Sequence, residues 1–180
     1  MTDHREKIIR QIRERAENLY HTHQFFCTES VVVAINEGLG GALSEDQAVA
    51  IASGFPLGVG EAGCMCGALS GGILSVGLVL GKNGPYRNRR TVREASGELH
   101  DRFKGRFRST CCRVLTRKVR HTPRIHFEQC AELTGAGAEM AARMILEKRP
   151  GLVSQISPAR RLRRDSGLAA FFISLGKLFR

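Results

Sequence analysis

The amino-acid sequence predicts an all-α protein, a compact bundle of about five to six helices with a C-terminal amphipathic helix. Three observations carry this prediction. Apolar residues recur at helical spacing in several segments, glycine and proline separate those segments, and one segment begins with a capping box. The 180 residues are 42% hydrophobic, which is enough for one domain with a substantial core. We expect residues 1–149 to form this helical domain and residues 150–180 to form a basic, amphipathic extension.

The first part of the chain contains three predicted helices. Apolar residues at helical spacing predict a helix from about residue 3 to residue 22. A second helix is predicted from about Cys27 to Glu37 and ends at Gly38, although three adjacent valines leave a strand open. The sequence Ser44-Glu45-Asp46-Gln47 is a capping box and begins a third, short helix that ends before the next proline.

A glycine-rich stretch from Gly58 to Gly72 contains Cys64 and Cys66 and leads into an uncharged helix. Cys66 is expected in the first turn of that helix, where unpaired N–H groups and the helix dipole favour a thiolate. The stretch matches G-x-G-x-x-G, but a helical pattern precedes it instead of the strand that a dinucleotide-binding loop requires. The uncharged residues 62–81 are numerous enough to span a membrane, yet their glycine, serine and cysteine content favours a buried core helix.

Two longer helices are predicted in the second half of the chain. A basic amphipathic helix carries Val92, Ala95, Leu99 and Phe103 on its apolar side. After a proline, a core helix is expected over about residues 125–147.

The segment between these two helices carries adjacent cysteines, Cys111 and Cys112. Ser109 or Thr110 is expected to cap a short turn there, which places a cysteine at its positive end. A disulfide between neighbouring residues requires a strained ring. We therefore expect one of the two cysteines to be a ligand and the other to be a spare thiol.

The formal charge of +11 is concentrated in one block of the chain. Residues 82–124 contain 14 lysine and arginine residues against three acids, and the rest of the chain sums to zero. Such a block can bind an anion or offset a negatively charged cofactor. Because no nucleic-acid-binding motif is present and aromatic residues are few, nucleic acid is not an expected partner.

The six cysteines indicate the chemistry of the protein more directly than the charge does. The first residues contain no apolar signal core, so we expect a cytoplasmic protein. Disulfides seldom persist in that compartment, and several cysteines there favour metal or thiol redox chemistry.

Four segments of the chain follow a recognisable cysteine pattern. They are Cys27 before an apolar helix, Cys66-Gly67-Ala68-Leu69-Ser70-Gly71, Cys112 within residues 107–115, and Cys130-Ala131-Glu132-Leu133. In this order they resemble the C-GCAxxG-C-C family of redox-active bacterial proteins, over roughly residues 3–147. The resemblance implies a helical fold with four characteristic cysteines, and it leaves Cys64 and Cys111 as extra cysteines that could substitute as ligands or act as redox partners.

Similar domains occur in split-Soret cytochromes c, where an iron–sulfur cluster lies beside covalently bound haem. The present chain has no C-x-x-C-H, so covalent haem is not expected. What the resemblance implies is an iron–sulfur cluster, with [2Fe–2S] favoured, held by four cysteines and serving electron transfer or redox sensing. The predicted ligands are Cys27, Cys66, Cys112 and Cys130.

Three alternatives to the cluster remain open. A zinc ion could be held by the same four thiolates. A metal-free thiol–disulfide protein would use Cys64, Cys66, Cys111 and Cys112 as exchangeable pairs. Several cysteines could also simply pack in the core. Since the sequence shows no nucleophile with a base and no paired carboxylates, a redox protein is favoured over an enzyme with its own substrate.

The C-terminal extension combines a basic cluster, 160–164, with an apolar helical stripe. This combination suits an anionic membrane surface, and the stripe is too short to span a bilayer. Packing onto the domain or onto a second copy of the chain explains the stripe at least as well. The expected partners are therefore an unidentified redox protein, a second copy in a homodimer, or a membrane contacted through residues 160–180. The stripe consists of Leu168, Phe171, Phe172, Leu175, Leu178 and Phe179.

Overall fold

The computed structural model describes residues 2–82 and 84–177, and these residues form helices and no strand. This confirms the predicted all-α fold, and the valine-rich second segment is helical. The helices are α1 (Thr2–His21), α2 (Cys27–Gly38), α3 (Glu45–Ala52), α4 (Pro56–Val59), α5 (Gly67–Gly81), α6 (Pro85–Phe107), α7 (Cys112–Thr116), α8 (Pro123–Lys148), α9 (Leu152–Gln155) and α10 (Gly167–Lys177).

Helix α5 lies at the centre of the bundle and packs against α2, α6 and α8, while α1 packs against α2 and α8. It carries no charged residue, and most of its side chains are buried. A helix that is apolar on all sides is stable only when other elements surround it. No described helix is long and apolar enough to span a membrane. The prediction of a core helix at this position is therefore confirmed.

The contact between α5 and α8 depends on a glycine. A Cβ atom on Gly137 would lie 2.6 Å from the carbonyl oxygen of Ala68, which is closer than real Cβ atoms approach. Because this position has no side chain, the backbones of the two helices approach each other directly. The approach brings the middle of α8 close to the beginning of α5.

The predicted capping box is present at the start of α3. The backbone N–H of Gln47 donates to the Ser44 hydroxyl at 3.2 Å, and the Ser44 N–H donates to the Gln47 side chain at 2.9 Å. Each side chain thus accepts a hydrogen bond from the other residue's backbone N–H, which would otherwise have no partner within the helix. The short helices α4 and α9 were not predicted, since segments of four residues show no measurable periodicity.

The extension after residue 150 is fastened to α1 through Asp165. Its carboxylate accepts hydrogen bonds from Arg15 at 2.9 Å and from Gln24 at 3.0 Å, and Arg163 also pairs with it. Both Arg15 and Asp165 are buried. The Asn18 side chain adds two bonds to the Asp165 backbone, at 2.8 and 2.9 Å. A polar cluster therefore holds the start of α10 against the domain.

The apolar stripe on α10 is exposed to solvent where it is described. Leu168 is 77% exposed, and Phe171 and Phe172 are 62% and 66% exposed. Two predicted members of the stripe, Leu178 and Phe179, lie outside the described residues.

Candidate functional site

Four of the six cysteines line one cavity of about 250 Å³. They are contributed by four different helical segments. Cys27 begins α2, Cys66 immediately precedes α5, Cys112 begins α7, and Cys130 lies within α8. We call these four residues the inner cysteines. They are the same four that the sequence singled out as ligands, and the structure places all of them in the lining of one cavity.

The beginning of α5 contacts Cys27 closely because residue 67 is glycine. A Cβ atom on Gly67 would lie 2.2 Å from the Cys27 sulfur and 2.6 Å from the Thr28 hydroxyl oxygen. Any larger residue would require the Cys27 and Thr28 side chains to move. The glycine that follows Cys66 therefore allows the Cys66 and Cys27 thiols to share one cavity.

The backbone from α4 into the loop that leads to α5 winds in the left-handed sense, so α4 is not a regular helix. Leu57, Gly58, Val59, Gly60 and Glu61 have φ values of 58°, 77°, 58°, 56° and 71°. This region is strained for residues with a Cβ atom, and most of all for a β-branched valine. The turn places the backbone N–H of Leu57 near the sulfur of Cys27, where it favours negative charge. The surrounding contacts stabilise a backbone shape that is unfavourable by itself.

The segment before α7 is paired with this loop by backbone hydrogen bonds. The Cys66 N–H donates to the carbonyl of Thr110 at 2.8 Å, and the Arg113 N–H donates to the carbonyl of Gly63 at 2.9 Å. The guanidinium of Arg113 adds a bond to the carbonyl of Ala62 at 2.7 Å. The loop and the segment therefore form one unit that closes a side of the cavity.

The predicted cap of α7 was wrong by one or two residues. Cys111, and not Ser109 or Thr110, is the residue before the helix. The Ser109 hydroxyl instead accepts a hydrogen bond from the Cys111 N–H at 3.1 Å. The pairing of Thr110 with Cys66 extends the backbone at this point and delays the start of the helix.

Burial raises the pKa of Cys66 and of Cys130 to about 12. It also raises the pKa of Cys27 and of Cys112. Helix-terminal N–H groups do favour the thiolate at Cys66, through Ala68 and Leu69, but the loss of water outweighs them. The expectation that the cysteine at the start of α5 is acidic is therefore wrong for the metal-free chain. The first-turn position was also off by one residue, since Cys66 is the N-cap.

Tyr20 is a member of the site that the sequence did not reveal. It lines the cavity, and its hydroxyl hydrogen-bonds the sulfur of Cys130. Burial raises its own pKa above the usual value, and negative charge on Cys130 and Cys27 raises it further. The signal that could have found it is a hydroxyl on the apolar face of α1, because a buried tyrosine needs a partner.

Cys64 and Cys111 lie outside the lining of the cavity. Cys64 is exposed and Cys111 is half-buried. Their thiols hydrogen-bond each other, and the Cys111 thiol also donates to the carbonyl of Gly63 at 3.0 Å. The backbone N–H of Val114 and the Cys64 thiol lower the pKa of Cys111, whereas the contact with Cys111 raises the pKa of Cys64. We call these two residues the outer pair.

The chemistry of the inner cysteines fits a metal centre, although the thiols are not drawn together around one point. No group of three or more histidine, cysteine, aspartate or glutamate side chains in residues 2–82 and 84–177 is arranged to hold a metal ion. The cavity is far larger than the ~10–15 Å³ that one water molecule needs. Four cysteine thiolates are the common ligand set of iron–sulfur clusters, and binding would displace the protons that burial retains.

Fold and site together define an all-α protein with a cavity lined by four cysteines. The chain belongs to the family described as "Putative redox-active protein (C_GCAxxG_C_C)", whose model matches residues 25–144. The match contains all six cysteines, whereas Tyr20 and the C-terminal extension lie outside it. No curated protein and no solved structure matches the chain significantly. Redox chemistry at cysteine is the class of function that this family description supports.

Proposed function

We propose that the inner cysteines hold an iron–sulfur cluster, with [2Fe–2S] favoured, and that the protein serves electron transfer or redox sensing. The single observation that carries this proposal is the convergence of four thiols, from four separate helical segments, on one cavity. A cluster bound there would supply one-electron redox chemistry. Such a site exists only in the folded chain, so ligand binding would also link α2, α5, α7 and α8.

The residues around the cavity suit thiolate ligands. Backbone N–H groups of Leu57, Ala68 and Leu69 favour negative charge on Cys27 and Cys66. The hydroxyl of Tyr20 does the same for Cys130. Hydrogen bonds to ligand sulfurs stabilise the more negative, reduced state and raise the reduction potential.

Arg113, next to Cys112, belongs to the basic block of residues 82–124 that could offset a negatively charged cofactor. Arg113 lines the cavity, but its guanidinium is bound to the carbonyl of Ala62 in the glycine-rich loop. We assign it mainly to holding the loop against α7. A four-thiolate zinc site is the competing occupant, and it would be colourless and redox-silent.

The test is an analysis of iron, acid-labile sulfide and visible absorption on anaerobically purified protein. We expect stoichiometric iron and sulfide in the unsubstituted chain and their loss in Cys66→Ser. The matched control is Cys64→Ser, which removes a neighbouring cysteine outside the cavity and should retain both. Zinc alone, or six titratable thiols without metal, would contradict the cluster.

We also propose that residues 160–180 contact an anionic membrane surface. The exposed apolar residues of α10 support this, together with Arg160, Arg161 and Arg164, which are exposed beside it. Apolar side chains flanked by cations are the usual combination in helices that lie on anionic bilayers. A second copy of the chain on the same face is the alternative that the experiment must separate.

A further inference from the structure

The outer pair brings together two cysteines that are distant in sequence and that the cluster proposal does not use. Cys64 lies in the glycine-rich loop and Cys111 immediately precedes α7. The Cys111 sulfur lies 3.0 Å from the carbonyl oxygen of Gly63, the residue next to Cys64, and Cys64 is exposed to solvent. Two neighbouring cysteines, one of them accessible from solvent, are the starting point for a reversible disulfide.

The contact is held by the backbone on both sides. On one side, the Cys66 N–H donates to the carbonyl of Thr110. On the other, the Arg113 N–H and the Cys111 thiol both donate to the carbonyl of Gly63. The two segments are therefore already in register around the outer pair, and a covalent bond would not have to assemble them.

The alternative pairings suggested by the sequence are disfavoured by the directions of the side chains. Cys66 and Cys112 line the inner cavity, while Cys64 and Cys111 do not. Neither a Cys64–Cys66 bond nor a Cys111–Cys112 bond can form unless an inner cysteine turns out of the cavity. The fold thus separates the six cysteines into an inner set of four and an outer set of two.

We propose that Cys64 and Cys111 form a second redox site, a surface dithiol that is oxidised reversibly to a disulfide by a disulfide-bearing molecule. Cys64, the exposed member, loses its proton to solvent and attacks one sulfur of the incoming disulfide. The incoming S–S bond breaks, and one thiol leaves with a proton. Cys111 then loses its proton and attacks the sulfur of Cys64 in the mixed disulfide, which releases the second thiol. Two electrons and two protons pass from the chain to the disulfide, which becomes two thiols.

The product bond would join the glycine-rich loop to the segment before α7. Each of these segments also carries an inner cysteine, Cys66 or Cys112. Oxidation at the surface therefore fastens one side of the inner cavity covalently. This site requires no metal, so it can be present whether or not the inner cysteines hold a cluster.

The experiment incubates the full reduced chain with glutathione disulfide, blocks the remaining thiols with iodoacetamide, and maps the products by mass spectrometry. Cyanogen bromide cleaves after Met65 and so separates Cys64 from Cys66. Trypsin releases residues 109–113, and fragmentation of that peptide distinguishes Cys111 from Cys112. We expect one Cys64–Cys111 bridge per chain, two glutathione thiols released, and full recovery of both cysteine thiols with dithiothreitol.

Variants separate the two steps of the reaction. Cys111→Ser should stop at the mixed disulfide of glutathione on Cys64, whereas Cys112→Ser, changed at the adjacent position, should still form the bridge. Circular dichroism checks that each variant is folded. If a variant is unfolded, the disulfide map of the unsubstituted chain tests the proposal by itself. A Cys64–Cys66 or Cys111–Cys112 bridge, an intermolecular bridge, or a glutathione adduct on Cys64 that persists in the unsubstituted chain would overturn the proposal. The disulfide map tests the outer pair alone, and the iron and sulfide analysis tests the inner cysteines alone, so failure of one proposal is distinguishable from failure of the other.

Discussion

Gly67 and Cys27 are packed so closely that a Cβ atom on the glycine would lie 2.2 Å from the sulfur. The contact joins α5 to α2 at the wall of the four-cysteine cavity. It gives a physical reason for a glycine directly after Cys66, because a Cβ atom there would require the Cys27 and Thr28 side chains to move.

Gly67→Ala should destabilise the protein by about 1–3 kcal/mol, because overpacking of this size forces the helices apart. Urea unfolding followed by circular dichroism measures the change. The matched control is Gly77→Ala in the same helix, where an added Cβ would meet nothing within 4 Å. That change should stabilise the chain by about 0.5–1 kcal/mol, since alanine favours a helix interior over glycine. Equal effects at the two positions would show that the contact with Cys27 is unimportant.

The metal-free chain should lose stability as the solution becomes alkaline. The folded-state pKa of each inner cysteine is raised above the usual unfolded value of about 8.5. The contribution of these thiols to folding is therefore fully present below about pH 8.5. It declines as the pH rises toward the folded values, which are about 12 for Cys66 and Cys130.

Urea midpoints measured across this pH range, in the reduced and chelated protein, test the alkaline loss of stability. Cys130→Ser removes one of the four titrating groups and should flatten the dependence. If the urea midpoint falls with pH equally steeply in the variant and in the unsubstituted chain, Cys130 is not one of the groups that cause the alkaline loss of stability.

Tyr20→Phe should lower the reduction potential of a cluster held by the inner cysteines. The substitution removes the hydroxyl that donates to Cys130 while it keeps the aromatic ring in the cavity wall. A ligand sulfur with one hydrogen bond fewer is less able to stabilise the added electron. Redox titration followed by visible absorption measures the shift. Tyr86→Phe is the control, since Tyr86 is 78% exposed, and equal potentials in both variants would refute the role of Tyr20.

Asp165→Asn should weaken the attachment of the C-terminal extension and lower stability by about 1.5–3 kcal/mol, the usual worth of hydrogen bonds to a charged group. Burial alone would raise the pKa of Asp165, but hydrogen bonds from Arg15, Arg163 and Gln24 outweigh it and hold the pKa below the usual value. The contribution is therefore present above the unfolded pKa of about 3.9 and is lost as the pH falls through the folded pKa.

Denaturant unfolding at neutral and acidic pH measures the effect of Asp165→Asn. The variant and the unsubstituted chain should differ at neutral pH and converge in acid. Asp101→Asn serves as the control, because that side chain is 82% exposed. A difference between Asp165→Asn and the unsubstituted chain that persists unchanged in acid would rule out the ion pair as its cause.

Replacing Phe171 and Phe172 by serine should reduce binding of the protein to vesicles that contain anionic lipid. Both rings are exposed on α10. Binding should weaken with added salt and be small on purely zwitterionic vesicles, because arginines supply part of the attraction. Co-flotation measures it, and Val114→Ser, at an exposed apolar residue elsewhere, is the control. The opposite outcome is an unsubstituted protein that does not bind vesicles but forms a dimer, and a double variant that is monomeric. That result would assign the exposed face of α10 to contact with a second copy.

The helices were predictable because their signals are local. Apolar spacing marks α1, α6 and α8, the capping box marks the start of α3, and glycine or proline marks where helices end. Each of these helix signals depends on residues within a few positions of one another along the chain. The four inner cysteines were chosen in another way, through the resemblance to the C-GCAxxG-C-C family that their order and the small-residue sequence around Cys66 carry.

The tertiary structure decided what those cysteines face. It separated the inner set from Cys64 and Cys111, placed Tyr20 beside Cys130, and reversed the expected pKa shift at Cys66. The physical reason is the same in each case. Burial and contacts between distant segments determine the direction of a side chain and the cost of its charge, and both arise only when the helices pack together. The sequence by itself determined the helices and the thiols available to them, and the packing of the bundle determined which thiols share a cavity and which remain at the surface.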